Sequence, residues 1–242
     1  MALGEVVEID QATLLVQGQE LIAPKGQPDV ANSILHLTGD TLFLIDTGAT
    51  RAFRDVLSAA AQDIGAWRHL VVLTTHGHVD HIGNNDLADQ LADDHRATVQ
   101  HLVPAKELAQ MRDPLAYWTT SLRRLVGVLP GYDHPEEMAA QLVSIFEPLQ
   151  PFGATTTTFE DEPIERLDIG PLSLTGWSFC DGAVNVVRSQ GHCAGHVMVH
   201  IRDSQLLHLA DESNGPCGAM HDADQLKILT ALSHAATLVE SG

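Results

Sequence analysis

The sequence feature that most constrains this chain is a run of six residues that holds four side chains able to bind a metal ion. Residues 76–81 read HGHVDH and follow the apolar stretch 70–73. Imidazole nitrogens and carboxylate oxygens are ligands that divalent cations such as zinc prefer. A strand that turns at the glycine can aim the first two histidines at one point and the other two side chains at a second point. The run therefore predicts half of a two-metal site, with four candidate ligands: His76, His78, Asp80 and His81.

Composition favours one globular domain with a large core. Of 242 residues, 44% are hydrophobic and 19% are charged, which suits a packed interior rather than a disordered chain. The 13 Lys and Arg residues are outnumbered by 32 Asp and Glu, so the formal net charge is −19. Such a surface repels phosphate backbones, and we expect no nucleic-acid partner. We expect a single domain over residues 1–242 that acts on a small-molecule substrate, with assembly into a homo-oligomer left open.

The N-terminal segment and the cysteines indicate the compartment. Residues 1–8 lack the basic and apolar stretches of a secretory signal, and no stretch approaches the roughly 20 apolar residues that span a bilayer. Cys180, Cys193 and Cys217 form no C-x-x-C pair, so a disulfide framework is not expected. Cys193 neighbours a candidate ligand, but a small buried filler is the simpler role for it. We therefore expect a cytoplasmic protein without a membrane partner.

Hydrophobic periodicity divides the chain into strands and helices. Strands are predicted at 5–16, 32–37, 41–45, 69–75, 98–102, 171–179, 183–188, 197–201 and 205–209. Helices are predicted at 53–64, 84–94 and 222–239. Strands and a helix in each half suggest two similar layers.

The middle of the chain follows a different pattern. From residue 104 to about 150 it is helical but irregular, because prolines interrupt the apolar spacing. We interpret this stretch as a helical cap inserted at about 104–150, while ordinary covering helices on a sheet are the alternative. The threonines at 155–158 and the acidic residues at 160–162 predict a solvated return to the second half.

A second group of candidate ligands lies in the second half. Residues 191–196 read GHCAGH after a predicted strand, and Asp211 follows the apolar stretch 206–210. At strand ends the sheet holds the ligands while the loops leave a metal open to substrate. Together with the first run, two metal-binding sets are predicted, and Asp211 is able to bridge them: His76, His78 and His192 in one, and Asp80, His81 and Asp211 in the other.

These motifs together resemble the metallo-β-lactamase-fold hydrolase superfamily. The segment LIDTG at 44–48, the H-x-H-x-D-H run, the Gly-His-x-x-Gly-His segment and Asp211 occur in the order of that family. The resemblance covers roughly residues 30–215. It implies an α/β fold, an αβ/βα sandwich of two mixed β-sheets flanked by helices, with the metals at one edge.

The resemblance also implies roles for single residues. His192 matches a metal ligand of the family, whereas His196 matches a position that is usually structural. Asp46 matches a buried acid that orders the loops under the metals, and a turn residue at a strand end is the equally simple alternative. Three histidines in strand patterns are expected to be packed or exposed residues rather than ligands: His36, His200 and His208.

The chain departs from the family after Asp211. Family members with two metals usually take a last histidine from a strand beyond one more helix, whereas 31 residues follow Asp211 here. His221 lies in a predicted loop and His234 inside the last predicted helix, so neither has the expected context. We expect either a chain that is truncated at its C-terminus or an incomplete second metal site.

The predicted sets indicate hydrolytic chemistry. A water bound to zinc loses its proton near neutral pH, and a second cation holds the hydroxide in line with an electrophile. We expect a metal-dependent hydrolase that uses a metal-bound hydroxide on an ester, lactone or thioester carbonyl. One or two zinc ions are expected, with iron or manganese as alternatives. Asp80 is expected to ligate the second metal and to pass the proton to the leaving group.

Two other functions remain open. A mononuclear iron dioxygenase of the persulfide type, which resembles this family, uses two histidines and an aspartate and would leave Asp80 and His81 without a metal. A non-catalytic binding protein on the same fold is the other. Several branches of the family fit less well. Secreted β-lactamases carry a signal sequence, glyoxalase-II-like thioesterases a longer helical C-terminal region, and quorum-quenching lactonases commonly a tyrosine where Asn214 stands here.

Overall fold

The first half of the chain builds a mixed sheet of seven strands. The computed structural model describes residues 3–20, 27–146, 148–218 and 220–241, with the backbone alone at 216–218. The strands lie side by side in chain order, antiparallel from the first to the fourth and parallel from the fourth to the seventh. They are β1 (Val6–Asp10), β2 (Thr13–Val16), β3 (Ser33–Thr38), β4 (Thr41–Ile45), β5 (His69–Leu73), β6 (Thr98–Val103) and β7 (Thr156–Thr158).

The second half builds an antiparallel sheet of five strands. Its order is β12-β11-β10-β9-β8, so each strand pairs with its neighbour in the chain. The strands are β8 (Glu165–Ile169), β9 (Leu172–Phe179), β10 (Val184–Arg188), β11 (Val197–Ile201) and β12 (Leu206–His208).

Among the described residues, seven α-helices accompany the sheets. They are α1 (Arg51–Asp63), α2 (Val79–Ile82), α3 (Leu87–His95), α4 (Leu108–Arg112), α5 (Pro114–Arg123), α6 (Pro135–Ser144) and α7 (Gln225–Glu240), with 3-10 helices at Ala105–Glu107, Phe159–Asp161 and Ala210–Gly218. In the part of the chain that the structure describes, none of the helices is long and apolar enough to cross a membrane.

Strand alternation explains how the layers stack. Along β5, Leu70 and Val72 pack in one cluster with α1 and α3, whereas Val71 and Leu73 face the second sheet. Side chains two apart share a face of a strand, so a continuous apolar run fills both faces. The inter-sheet core holds large buried side chains from both sheets, including Phe43, Ile45, Trp177, Val186 and Val199. Ala231 of α7 packs on the outer face of the second sheet, so helices cover both sheets as the predicted αβ/βα sandwich requires.

Several predicted boundaries need correction. The predicted strand at 5–16 is two strands that pair in a hairpin, and the predicted helix at 84–94 begins at Leu87. The stretch at 155–158 is solvent-accessible as predicted, but Thr156–Thr158 also forms the edge strand β7 beside β6, which was not predicted. An edge strand tolerates polar side chains since only one side of its backbone is paired. Strand β8 was not predicted, although its Glu-Arg-Leu-Asp-Ile sequence buries alternate residues.

Candidate metal centre

The metal-binding run lies at the carboxyl edge of the parallel strands. Strand β5 ends at Leu73, and the loop that follows carries His76 and His78 before α2 begins at Val79. The loop is tightly packed at Gly77, where an added Cβ would lie 2.7 Å from Nε2 of Gln110. A side chain there would have to displace Gln110, so the two histidines flank a point where the backbone is packed closely against its neighbour.

Four donor atoms converge at this edge, all within 4.8 Å of one another, and they belong to His76, His78, His192 and Asp211. His78 Nδ1 lies 3.0 Å from His76 Nε2 and 3.1 Å from His192 Nε2. Asp211 Oδ2 lies 3.3 Å from His192 Nε2 and 3.8 Å from His76 Nε2. The structure therefore brings together the three histidines predicted for one metal with the aspartate predicted to bridge.

Four of the distances between these donors, from 3.0 to 3.8 Å, are close to the separation of neighbouring ligand atoms around a zinc ion. Zinc–nitrogen bonds of about 2.0–2.1 Å place neighbouring ligand atoms of a tetrahedron about 3.3 Å apart. The three imidazoles are also in the form that ligates. Burial lowers the pKa of His192 to about 4, and burial together with the neighbouring histidines holds the pKa of His76 and His78 well below the usual range. Neutral rings offer their lone pairs without first releasing a proton.

The second predicted set is gathered around one atom. His81 Nε2 lies 3.3 Å from Asp80 Oδ2 and 3.3 Å from Asp211 Oδ1, yet it makes no hydrogen bond of good geometry to either. Burial alone would lower the pKa of His81, but the three carboxylates of Asp80, Asp46 and Asp211 outweigh it and raise that pKa. Burial raises the pKa of Asp80, whereas the adjacent His81 holds the pKa of Asp211 below its usual range despite burial. The carboxylates around His81 therefore stabilise a positive charge at this position.

Asp46 organises the floor of the centre. Its carboxylate accepts hydrogen bonds from the backbone N–H of Thr75 at 2.7 Å, the hydroxyl of Thr75 at 2.7 Å and His81 Nδ1 at 2.8 Å. The Thr75 hydroxyl in turn accepts from His76 Nδ1 at 3.0 Å. These bonds place the ring protons on Nδ1 and leave each Nε2 facing the centre. Of the two roles open to Asp46, the contacts favour the ordering one.

Glu107 is a residue of the candidate centre that the sequence did not reveal. It stands before α4, is 1% exposed, and accepts from the backbone N–H of Gly77 at 3.0 Å and of Gly195 at 2.5 Å. It also contacts Gln110 and, at 3.4 Å, the thiol of Cys193. One carboxylate thus joins the two loops that carry the three histidines. No local sequence signal distinguishes this glutamate from other acids in the segment.

A second unpredicted contact comes from α5. Tyr117 Oη lies 3.0 Å from His78 Nε2 and donates to Asp222 Oδ1 at 3.0 Å, while Asp222 Oδ2 accepts from the backbone N–H of Ala194 at 3.1 Å. Burial and the carboxylate of Asp222 raise the pKa of Tyr117, so its hydroxyl stays protonated. His78 therefore carries its proton on Nε2 and presents Nδ1 to the other ligands.

The loop that carries His192 is held by Glu212. This fully buried carboxylate accepts from the backbone N–H of Gly191 at 2.9 Å and of His192 at 3.2 Å, and it lies 3.3 Å from His196 Nδ1. His196 Nδ1 is also 2.9 Å from the Ser189 hydroxyl. These contacts agree with the structural role expected for His196.

The predicted placement of two ligands at strand ends is inaccurate. His192 lies in the loop between β10 and β11, and Asp211 lies in the 3-10 helix that follows β12. Ala210 has a φ of 44°, which turns the chain away from the direction of β12 just before the aspartate. The ligands are therefore held by short turns beyond the strands rather than by the strands themselves.

The remaining histidines and cysteines lie elsewhere. His221 Nδ1 lies 2.7 Å from the Ser121 hydroxyl and His234 lies within α7, so the structure places neither in the donor cluster. His36 is buried against Thr13, and His208 Nε2 lies 3.9 Å from Asp46 Oδ2. Cys193 is buried and free, as expected for a filler. Cys180 is exposed and free. The side chain of Cys217 lies outside the described residues.

The family model of the metallo-beta-lactamase superfamily matches residues 26–239. The chain belongs to this superfamily. The match covers the chain from before β3 to α7 and includes all the predicted ligands, so the resemblance inferred from the motifs is confirmed. A comparison with curated protein sequences found no match.

Solved metallo-β-lactamase structures share the fold at low sequence identity. A metallo-β-lactamase from Hirschia baltica has 15% identity and a TM-score of 0.55, with 96% of this chain and 84% of that chain covered. The DIM-1 metallo-β-lactamase has 12% identity and a TM-score of 0.53, with 97% and 85% covered. A β-lactamase domain protein from Burkholderia ambifaria has 19% identity and a TM-score of 0.50, with 85% and 54% covered. These likenesses confirm the predicted sandwich fold.

Proposed function

We propose that this chain is a metal-dependent hydrolase that acts on an ester, lactone or thioester carbonyl. The observation that carries the proposal is the convergence of His76, His78, His192 and Asp211 at one edge of a metallo-β-lactamase fold. Four donors that are mutually close, three of them buried neutral imidazoles, have no packing role that would require such crowding. A catalytic centre explains it better than a non-catalytic binding protein does.

The three histidines would hold a first cation, and Asp80, His81 and Asp211 a second, with Asp211 between the two. When bound, such cations lower the pKa of a water molecule and polarise a carbonyl oxygen. Zinc suits the nitrogen-rich first set, with iron or manganese as alternatives.

Asp80 is proposed to move the proton. Its side chain is 14% exposed and lies between buried His81 and the cavity that adjoins the centre, so a substrate can reach it. In the proposed reaction, Asp80 accepts a proton from the attacking water and returns it to the leaving oxygen or sulfur as the carbonyl bond to that atom breaks. A carboxylate with a raised pKa is suited to both halves of this transfer.

The cavity beside the second set supports an acyl substrate rather than a phosphate ester. It has a volume of about 600 Å³ and its lining includes Asp29, Asp80 and Asp211 but, among the described residues, no lysine or arginine. Phosphate recognition relies on such cations, whereas a neutral carbonyl compound needs none. We therefore propose a neutral small-molecule substrate and no nucleic-acid partner.

The iron dioxygenase alternative has less support. It would leave Asp80 and His81 without a metal, although His81 is buried with Nε2 directed at two carboxylates and not hydrogen-bonded to them. Burying such a group without a partner is costly, which favours a role in cation binding.

The helices at 104–144 support a helical cap within a single domain. Helix α5 places Tyr117 against His78, and the ring centroid of Trp118 lies 5.4 Å from that of His78. We propose that this cap forms one wall of the substrate site.

The test combines metal analysis with a substrate panel. Purified protein, emptied with chelator and reloaded with zinc, iron or manganese, is assayed on esters, lactones, thioesters and phosphodiesters. We expect hydrolysis of at least one acyl class with the zinc-loaded form, and its loss in Asp80→Asn. Oxygen consumption by an iron-loaded form without hydrolysis would support the dioxygenase, and no turnover in any form would support a binding protein.

A further inference from the structure

The segment around Asp29 lines the cavity beside the second predicted metal-binding set. Asp29 lines the same cavity of about 600 Å³ as Asp80, His81 and Asp211. The backbone N–H of Ala31 donates to the carbonyl of Asp80 at 3.1 Å, which ties this segment to the metal-binding run. Val30 pairs with Gln19 through two backbone hydrogen bonds of 2.9 Å, so the segment is held in place on its other side.

The described residues at this wall carry more carboxylates than His81 alone can neutralise. Three carboxylates, from Asp29, Asp80 and Asp211, share the cavity, and its described lining residues include no lysine or arginine. Burial and the nearby Asp211 raise the pKa of Asp29, with His81 opposing them, so the electrostatic influence of the cluster extends to this carboxyl. Like charges gathered in a partly buried site repel one another unless a cation joins them.

His81 points to the identity of that cation. Its side chain is 3% exposed, and Nε2 faces the cluster without a hydrogen bond of good geometry. An imidazole nitrogen among three carboxylates is a donor set suited to a divalent metal ion. The other nearby imidazole, His208, also lines the cavity, and its buried Nε2 lies 3.9 Å from Asp46 Oδ2 without a hydrogen bond.

We propose that Asp29 supplies the additional carboxylate of the second cation position, beside Asp80, His81 and Asp211. The inference rests on the metal centre of the proposed function and is independent of the reaction catalysed there. Neither His221 nor His234 lines this cavity. A ligand from the segment that precedes β3 thus takes the place expected for a histidine beyond Asp211.

The experiment measures metal binding to the whole chain rather than activity. Metal-free protein is titrated with Zn²⁺ and, in parallel, with Co²⁺, and bound ions are counted by mass spectrometry of the metal. We expect wild type to bind two ions with different affinities. Asp29→Asn should weaken the second ion by at least about 10-fold and leave the first unchanged, because it removes one of four donors from the second position only.

Two variants serve as comparisons. Glu20→Gln removes an exposed carboxylate from the same cavity lining and should leave both affinities unchanged. Asp29→His keeps a metal-binding side chain and should retain the second ion better than Asp29→Asn. If circular dichroism shows that the asparagine variant folds poorly, Asp29→Ser replaces it. Its affinity for the second ion is then compared with that of wild type in the same way.

Two results would overturn the proposal. One is a second-ion affinity in Asp29→Asn equal to that in Glu20→Gln, and the other is a wild-type chain that binds a single ion. Failure of the proposed function looks different. If the second ion depends on Asp29 but no acyl substrate is hydrolysed, the proposed hydrolase function is wrong, while the assignment of Asp29 as a ligand is supported.

Discussion

The two proposed metal-binding sets differ in how their donors are held. Each ring of the first set is buried, and two of the three have an identified partner on the nitrogen that faces away from the centre, namely Thr75 for His76 and Tyr117 for His78. In the second set only His81 is braced, by Asp46, while the carboxylates of Asp80 and Asp211 are 14% and 24% exposed toward a cavity.

The first set is therefore the more rigid one, and the second set is the one that a substrate can reach. Ring partners that fix tautomer and orientation raise metal affinity, so the first set should hold its ion tightly. Carboxylates at a cavity are free to exchange partners, which a position that meets substrate and moves protons requires. The predictions below test whether the two sets behave as one tight and one exchangeable site.

The largest effect is expected from His78→Ala. It removes the ring that lies about 3 Å from both other histidines, so most of the tightly bound metal and the activity should be lost. Metal content after gel filtration measures this. His69→Ala, at the exposed start of β5, is the matched control and should keep both ions. A full complement of metal in His78→Ala would remove it from the centre.

Asp80→Asn should separate chemistry from tight binding. The amide has the size of the carboxylate but no basic oxygen, so kcat should fall by about 10²-fold or more while the first ion remains. Steady-state kinetics and metal counting on the same sample measure both quantities. Glu20→Gln provides the control within the same cavity. Unchanged turnover would contradict a role for Asp80 in proton transfer.

Tyr117→Phe should weaken only the first set. The change removes the hydroxyl 3.0 Å from His78 Nε2, and losing such a partner lowers metal affinity by about 10-fold or more. Competition with a chromophoric chelator gives the affinity. Tyr132→Phe, in the loop before α6, is the control and should behave as wild type. Equal affinities in the two variants would show that the ring partner does not matter.

A pH prediction tests whether burial alone keeps a histidine of this fold neutral. Burial lowers the pKa of His101 from 6.5 to about 4, and its ring nitrogens lie 2.7 Å from the Thr156 hydroxyl and 3.0 Å from that of Thr74. The unfolded chain therefore binds a proton more readily, so this contribution to stability is fully present above pH 6.5 and is lost as pH falls toward about 4.

His101→Gln should flatten that dependence. Residue 101 of the variant cannot titrate, so the free energy of unfolding of the variant should change less than that of wild type between about pH 7 and about pH 4. The difference between the two changes should be no more than about 3 kcal/mol. Urea denaturation in the presence of chelator measures the difference without a contribution from metal. Parallel pH profiles for the two proteins would show that His101 is not held neutral.

The sequence predicted the parts of the candidate centre whose residues are close together in the chain and lie next to an apolar strand. The H-x-H-x-D-H run follows a buried apolar strand, and its side chains meet because they share the short loop after β5 and the first turn of α2. The ligands from the second half also converge there, because the inter-sheet core fixes how the two sheets stack.

The residues that brace the centre were not predictable in the same way. Glu107 and Tyr117 lie in the irregular helical segment, and they reach the histidine loops only through the tertiary fold. Neither has a spacing or neighbour that distinguishes it in the sequence. Strand β7 escaped prediction for a related reason, since its pairing with β6 depends on a distant partner rather than on its own apolar pattern.

The carboxylate of Glu107 has a consequence for the motions of this chain. It accepts the amide protons of Gly77 and Gly195, which belong to loops of different sheets. Gly77 donates to Oε2 and Gly195 to Oε1 of the same side chain, so undocking of Glu107 exposes both amides in a single event. The two amides should therefore exchange with deuterium at matched rates, as one cooperative unit that opens when the segment before α4 undocks. Bound metal should slow that exchange at both positions together, so the protection of one glycine reports on the integrity of the other loop.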